Sequence, residues 1–159
     1  MTSQTESPTM EVRKSIVVRA PKERAFTVFT EGFNSWWPRE HHIGAADLDQ
    51  AIIEPRVGGR YYERGVDGSE CDWGRVLAYE PFDRLVLSWH LQGDWEYDPD
   101  PAKSSEIEVR FVVEAPDRTR VELAHRHLER HDKADDVRKG IDGPGGWSGL
   151  LVRYAEAAA

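Results

Sequence analysis

Apolar and polar residues alternate along most of the chain in short runs that glycine, proline and aspartate interrupt. The run over 12–20 is rich in β-branched residues and predicts a strand that ends before Pro21. Similar runs predict strands over 51–57, 58–64, 67–80, 84–92, 105–114 and 118–127. The pattern is typical of an antiparallel sheet of about six to seven strands.

Two segments change to the helical period. Pro21 is well placed to start a helix over 21–31, and Gly32 ends it before a short aromatic segment that stops at Pro38. At the other end, Pro144 suits a helix start, and four apolar residues then follow at helical spacing: Trp147, Leu150, Leu151 and Tyr154. This C-terminal stripe needs a large apolar surface, and the sheet is the one available.

The remaining segments lack a clear period. We expect a loop over 39–50, an exposed acidic loop over 93–103, and a helical turn or a loop over 132–142. In the strand over 84–92, Leu85, Leu87, Trp89 and Leu91 alternate with a second set of positions, which predicts one buried and one solvated face.

The runs on either side of residues 115–117 predict a hairpin whose register follows from charge. If Ala115, Pro116 and Asp117 form the loop, three pairs of opposite charge lie on one face: Glu114 with Arg118, Arg110 with Glu122, and Glu106 with Arg126. The other face then pairs Phe111 with Val121 and Val109 with Leu123. A shifted register gives fewer complementary pairs.

Composition narrows the range of partners. The 159 residues suit one domain over 11–159, preceded by a polar, flexible tail over 1–10. The formal net charge is −8 and basic residues are dispersed among acidic ones, which disfavours nucleic acid as a partner. Six tryptophans are unusually many for this length and must line some apolar space.

Cysteine content and hydropathy indicate a cytoplasmic protein. Cys71 is the only cysteine, so an intrachain disulfide and a multi-cysteine metal site are excluded. The N-terminal residues do not have the pattern of a signal peptide, and no apolar run reaches the roughly 20 residues that span a bilayer. We therefore expect no membrane association.

Four stretches carry a resemblance to a known family: VRAPKERAFTVFTEGFNSWWP at 18–38, EPRVGGRYYERGVDG at 54–68, GRVLAYEPFDRLVLSWH at 74–90 and GGWSGLLVRYAE at 145–156. Together they resemble the family named for the activator of the heat-shock protein 90 ATPase, within the START-like (SRPBCC, polyketide cyclase and lipid transport) superfamily. The resemblance implies an α+β helix-grip fold, in which a curved antiparallel sheet wraps a C-terminal helix and two short helices follow the first strand.

Members of this superfamily bind lipids, hormones and polyketides, cyclise them, or act as co-chaperones, so the fold alone does not fix the function. The leading hypothesis is a monomer or homodimer that binds a small hydrophobic or aromatic molecule between the sheet and the C-terminal helix. One alternative is a cyclase, hydrolase or dehydratase that uses a pocket histidine. The other is a co-chaperone-like interaction module.

The predicted pocket consists of inward-facing strand residues, tryptophans and the C-terminal helix. Its predicted lining residues are Trp37, Trp73, Leu87, Trp89, Ile107, Val109, Phe111, Leu123, His125, Trp147, Leu150 and Leu151. Plain core packing is the alternative role for the tryptophans.

His125 is the candidate polar group of that pocket. Strand parity places His125 on the face of Val121 and Leu123, opposite Ile107, where partial burial would lower its pKa and keep the imidazole neutral. It could then orient a ligand carbonyl or phenol, or act as a general base. Alternatively the strand is ending there, so that His127 is solvated and His125 caps the sheet edge.

Other chemistry finds little support in the sequence. The patterns HExxH, GxSxG and GxxxxGK[ST] are absent, and we predict no catalytic residues, no metal and no cofactor. A metal site joining His125 with His131 or with the His41-His42 pair stays a weaker alternative, as does calcium at Asp94, Asp98 and Asp100. Cys71 has no basic cluster near it in sequence and indicates no special reactivity.

Overall fold

The computed structural model describes residues 11–91, 97–131, 133–143 and 146–159. These residues form seven strands: β1 (Val12–Val18), β2 (Leu48–Ile53), β3 (Arg60–Gly65), β4 (Glu70–Glu80), β5 (Arg84–Trp89), β6 (Ser105–Ala115) and β7 (Arg118–Arg126). They pair antiparallel in the order β1-β7-β6-β5-β4-β3-β2 and curl into a half-barrel. The predicted tail over 1–10 lies outside the described residues.

Four helices accompany the sheet in the described residues: α1 (Lys22–Thr30), α2 (Phe33–Trp36), α3 (Ala134–Asp142) and α4 (Trp147–Ala158). The two short helices after the first strand agree with the prediction, and α3 occupies the segment for which a helical turn or a loop is expected. Pro144, the predicted helix start, lies outside the described residues. Within them, no helix has the length and apolarity that crossing a membrane requires.

Helix α4 closes the concave side of the sheet. Its four stripe residues are all buried, with exposed fractions of 7% or less. Tyr154 Oη donates to the Ala25 carbonyl at 2.6 Å, and Arg24 Nε donates to the Ala158 carbonyl at 2.6 Å, where the last helical carbonyls lack partners. The predicted helix-grip fold is confirmed.

The register of the β6–β7 hairpin agrees with the charge pattern. Glu106 pairs with Arg126, Arg110 with Glu122, and Phe111 with Val121. Near the turn the prediction fails, because an irregularity between Val113 and Ala115 makes Ala115 the partner of Arg118. The two-residue connection Pro116-Asp117 replaces the predicted three-residue loop, and Glu114 still lies 3.7 Å from Arg118 Nε.

Strand β2 begins inside the segment predicted as a loop. Leu48 is buried and pairs with Gly65, whereas Asp49 and Gln50 face solvent. An edge strand next to a single partner can keep such polar residues, which conceal it in the sequence. At its other end the strand stops at Ile53, four residues before the predicted end.

The prediction of a solvated face on β5 is wrong. Val86, Ser88 and His90 are buried, with exposed fractions of 3%, 4% and 6%. Tyr97 stacks on His90 with ring centroids 5.3 Å apart, and His90 Nδ1 lies 2.8 Å from the Asp98 carbonyl. The described part of the acidic loop thus covers the end of this strand.

Candidate functional site

A cavity of about 260 Å³ lies between the sheet, the loop after α2, and the ends of α3 and α4 that face each other. Its lining residues are Trp37, Glu40, His41, His42, Ile43, Trp73, Trp89, Leu91, Gly140, Ile141, Gly146, Trp147 and Leu150. The exposed Glu40 marks the mouth, and the interior wall is mainly apolar.

Four tryptophans line this cavity. The Trp37 and Trp73 rings have centroids 5.2 Å apart, and those of Trp89 and Trp147 are 6.4 Å apart. All four side chains are at most 5% exposed. Indole rings at these separations present flat apolar surfaces, which suit the faces of another aromatic system.

A buried carboxylate fixes one side of the cavity. Glu63, which is 1% exposed, accepts a hydrogen bond from Trp73 Nε1 at 2.9 Å. It also accepts from the backbone nitrogens of Ile43 at 2.6 Å and Gly44 at 3.1 Å. Glu63 therefore ties the loop that carries His41 and His42 to the Trp73 wall.

A chain of buried hydrogen bonds fixes the opposite side. Trp147 Nε1 lies 3.1 Å from His125 Nδ1, and because an indole nitrogen only donates, Nδ1 must accept. His125 Nε2 then carries the proton and donates to Ser105 Oγ at 2.7 Å. The Ser105 hydroxyl also lies 2.6 Å from His131 Nε2, to which it can donate its own proton.

These hydrogen bonds can form only while the His125 ring is neutral. His125 is fully buried, and its burial, with a smaller contribution from His131, lowers its pKa to about 3. A second proton on His125 would put two donors face to face at Trp147. The chain therefore holds the Trp147 ring, and with it the first turn of α4, against the cavity.

Local hydrogen bonds hold the segment that carries the two loop histidines. Trp37 Nε1 donates to the His41 carbonyl at 2.8 Å, and the two rings lie 5.8 Å apart. His42 Nδ1 donates to the Gly44 carbonyl at 2.8 Å, which leaves Nε2 as the acceptor in the neutral ring. His41 Nδ1 is buried and has no hydrogen-bond partner among the described residues.

Five of the residues predicted to line a pocket lie on the cavity wall: Trp37, Trp73, Trp89, Trp147 and Leu150. The other seven are buried in the core behind the wall: Leu87, Ile107, Val109, Phe111, Leu123, His125 and Leu151. His125, for example, lies behind the rings of Trp89 and Trp147, whereas Phe111 packs against Phe26 and Phe29 of α1.

The structure corrects the expected role of His125. It lies opposite Ile107 and faces inward as predicted, with its ring 5.4 Å from that of Trp89. However, both nitrogens are already bonded to Trp147 and Ser105, so neither is free to orient a ligand directly. His127 lies beyond the strand end, partly exposed, with Nδ1 3.4 Å from Glu129.

Sequence reasoning missed several residues of the site. Glu63 shares the inward parity of Tyr61 on β3, and a carboxylate at such a position is a signal for a buried polar contact. His41 was considered only as a metal ligand together with His42, and its place on the cavity wall had no signal because it lies in a segment without period. Ser105 carried no signal, since its contacts depend on tertiary structure. His131 was considered as a metal partner of His125, and the structure connects the two rings through the Ser105 hydroxyl instead.

No group of three or more metal-ligating side chains is assembled in the part of the chain that the structure describes. Asp94 lies outside that part, while Asp98 and Asp100 accept hydrogen bonds from the backbone of their own loop. The Cys71 thiol has its pKa raised by burial and by nearby carboxylates, which disfavours the reactive thiolate.

Comparison with known proteins agrees with this architecture. The model of the family "Activator of Hsp90 ATPase homolog 1-like protein" matches residues 19–151. The chain belongs to this family. Family membership also places it in the START-like superfamily, as the motifs indicated. No curated protein matches the chain.

Two solved structures share substantial sequence with this family member. The anthrahydroquino-γ-pyrone synthase Txn09 is 45% identical, with 92% of this chain and 95% of that chain covered and a TM-score of 0.66. The self-sacrificing resistance protein CalC from Micromonospora echinospora is 33% identical, with 93% of each chain covered and a TM-score of 0.68. The Aha1 dimer from Colwellia psychrerythraea, at 17% identity and a TM-score of 0.60, shares the fold, with 94% of this chain and 96% of that chain covered.

Proposed function

We propose that this protein binds a planar aromatic molecule in the cavity walled by Trp37, Trp73, Trp89 and Trp147. The four indoles around one cavity are the observation that carries the proposal. Flat rings stack against indoles in offset or edge-on arrangements, which favours an aromatic ligand over a flexible lipid chain. An open cavity also favours a ligand-binding or catalytic role over a co-chaperone-like interaction module.

The size of the cavity limits the ligand. At about 260 Å³ it lies just below the range of roughly 300–1,000 Å³ that is common for small-molecule sites. The proposed ligand is therefore a compact molecule of two or three fused rings. Its polar groups would be few, because the interior wall offers few polar atoms.

The relatives support an aromatic ligand. A protein named as an anthrahydroquino-γ-pyrone synthase is 45% identical over nearly the whole chain. Both the anthrahydroquinone and the γ-pyrone in that name denote flat oxygenated rings. The present chain need not take the same compound, but a shared fold at this identity makes a related ring system the natural first probe.

Calorimetry with xanthone, a planar tricyclic γ-pyrone, tests the proposal. The variant Leu150→Trp should fill the cavity from α4 and abolish binding, whereas Val152→Trp, on the exposed side of the same helix, should leave binding unchanged. Native mass spectrometry of freshly purified protein should reveal a co-purified aromatic compound. Equal binding by both variants would place the ligand elsewhere.

Ring closure is a second candidate function, favoured by His41 and by the synthase relative. Closing a γ-pyrone requires a hydroxyl oxygen to add to a ketone carbon while its proton passes to a base. The ketone oxygen takes up one proton and becomes a hemiketal hydroxyl. This hydroxyl takes up a second proton and leaves as water, while the neighbouring methylene carbon loses a proton to form the ring double bond. His41 has an unpartnered ring nitrogen on the cavity wall, and it is the proposed base.

An ortho-hydroxyphenyl β-diketone tests this candidate, because it closes to a chromone with loss of one water. The protein should accelerate chromone formation, and His41→Gln should remove most of the acceleration while His127→Gln, at the partly exposed strand end, retains it. Tight binding without any acceleration in the wild-type protein would assign the chain a binding role alone.

A further inference from the structure

Three buried side-chain atoms have no hydrogen-bond partner among the described residues: His41 Nδ1, Tyr61 Oη and Trp89 Nε1. Such atoms are uncommon in folded proteins, and each is costly because it has lost its contacts with water. The three are not dispersed through the core. Each belongs to a residue on the cavity wall or in ring contact with that wall.

Tyr61 and Trp89 adjoin each other. Trp89 lines the cavity, and the Tyr61 ring lies 6.3 Å from it and 5.1 Å from Trp73. Tyr61 is fully buried and Trp89 is 5% exposed. An indole on the cavity wall and a phenol beside it, with ring centroids 6.3 Å apart, therefore both lack partners.

Other buried indole N–H and tyrosine O–H groups have hydrogen-bond acceptors. The other three cavity indoles donate to Glu63, to His125 and to the His41 carbonyl. Tyr154, the other fully buried tyrosine, donates to the Ala25 carbonyl at 2.6 Å. The fold thus provides acceptors for buried donors of the same types, but not at Tyr61 and Trp89.

Both unpartnered groups are hydrogen-bond donors. An indole N–H only donates, and burial raises the pKa of the Tyr61 phenol, so the hydroxyl keeps its proton. A carbonyl oxygen has two lone pairs and can accept from two donors at once. No carboxylate or other acceptor of the described residues takes that place.

We infer that Tyr61 and Trp89 together recognise a carbonyl oxygen on the aromatic ligand. Tyr61 is then a specificity-determining residue, which selects aryl ketones over aromatic hydrocarbons and ethers. Both donor atoms are covered, so the ligand oxygen reaches them once the Trp89 ring turns about its side-chain torsions. The inference rests on the proposed binding of a planar aromatic molecule and names its chemical class.

Calorimetry with a matched pair of probes tests the inference. Xanthone and xanthene share one tricyclic skeleton and differ at the carbonyl, which is a methylene in xanthene. Wild-type protein should bind xanthone about tenfold more tightly than xanthene, the value of roughly one hydrogen bond. Tyr61→Phe should reduce this preference by weakening xanthone binding alone, and Trp89→Phe should reduce it as well.

Tyr154→Phe is the control, since it deletes a buried hydroxyl that already has a partner. It should lower the melting temperature and keep the xanthone preference, whereas Tyr61→Phe should not lower the melting temperature. Equal affinities of the wild-type protein for the two probes, or an unchanged preference in Tyr61→Phe, would overturn the inference and leave the proposed function standing. Failure to bind either probe would overturn both.

Discussion

Trp73 and Glu63 share a buried hydrogen bond in which the indole nitrogen donates to the carboxylate at 2.9 Å. The same carboxylate accepts from the backbone of Ile43 and Gly44. One side chain therefore joins the sheet to the loop that carries the site histidines. The shape of the cavity on this side therefore depends on one carboxylate, which accepts three hydrogen bonds.

Replacing Glu63 by Gln should lower the free energy of unfolding by about 1–3 kcal/mol, because the amide NH2 cannot accept and would face a buried donor. Urea unfolding followed by fluorescence measures the change. Glu122→Gln, at an exposed ion pair with Arg120, is the matched control and should cost less than about 1 kcal/mol. Equal decreases in the free energy of unfolding in the two variants would show that the Glu63 contacts contribute no more to stability than an exposed ion pair.

The buried hydrogen bonds of neutral His125 predict that the stability of the protein depends on pH. The pKa of His125 falls from an ordinary 6.5 to about 3 in the folded protein. Between these values the unfolded chain binds a proton that the folded protein does not, so acid favours unfolding. The contribution of neutral His125 to the free energy of unfolding is complete above pH 6.5. It declines by about 1.4 kcal/mol per pH unit as the pH falls below that value.

The variant His125→Gln tests this effect, since it removes the titrating group. His90, whose pKa burial also lowers, contributes equally in both proteins. Urea unfolding between pH 6.5 and about pH 5 should show a shallower pH slope for the variant, by up to about 1.4 kcal/mol per unit. Identical slopes would mean that His125 is protonated in the folded state.

Gly146 allows α4 to approach α3 closely at the edge of the cavity. A Cβ there would lie 2.0 Å from the Ile141 carbonyl oxygen, so Gly146→Ala must displace one helix end. We expect a loss of about 1–3 kcal/mol in unfolding free energy. Gly143→Ala, whose Cβ would lie 3.2 Å from the Lys139 carbonyl oxygen, should be milder. The reverse order would contradict the close contact between the two helix ends.

Phe111 anchors the sheet against α1, with its ring 5.2 Å from Phe26 and 5.9 Å from Phe29. Phe111→Asp should destabilise the domain by several kcal/mol, enough to unfold a protein of ordinary stability. Val113→Asp is the control on the same strand, since Val113 is 54% exposed. Thermal melting followed by circular dichroism distinguishes the two. A cooperative transition at the wild-type temperature for Phe111→Asp would disprove this packing.

Local patterns predicted most of the fold because most elements have their own signal, β2 and α3 being the exceptions. The β6–β7 register followed from alternating charges, and α4 followed from the stripe that begins at Trp147. The solvated face assigned to β5 and the residues after it was wrong, and at His90 the cause is Tyr97, which covers it from a different segment. A single-strand pattern cannot reveal what another segment places over it.

The candidate site was less accessible to sequence reasoning. The tryptophans were recognisable by size and number, but the groups that position them are distant in sequence: Glu63 for Trp73, and His125 with Ser105 for Trp147. His125 was expected to face the ligand because parity points it inward. Parity does not show that a larger ring stands in front of it.

The indole N–H resonances of an isotope-labelled sample test the central claim most directly. During titration with xanthone, the signals of Trp37, Trp73, Trp89 and Trp147 should shift together and saturate near one equivalent. Trp36, which donates to the Val28 carbonyl at 3.1 Å and does not line the cavity, should stay in place. Unchanged cavity resonances, or a shift of Trp36 as large as theirs, would contradict an aromatic site between the four tryptophans.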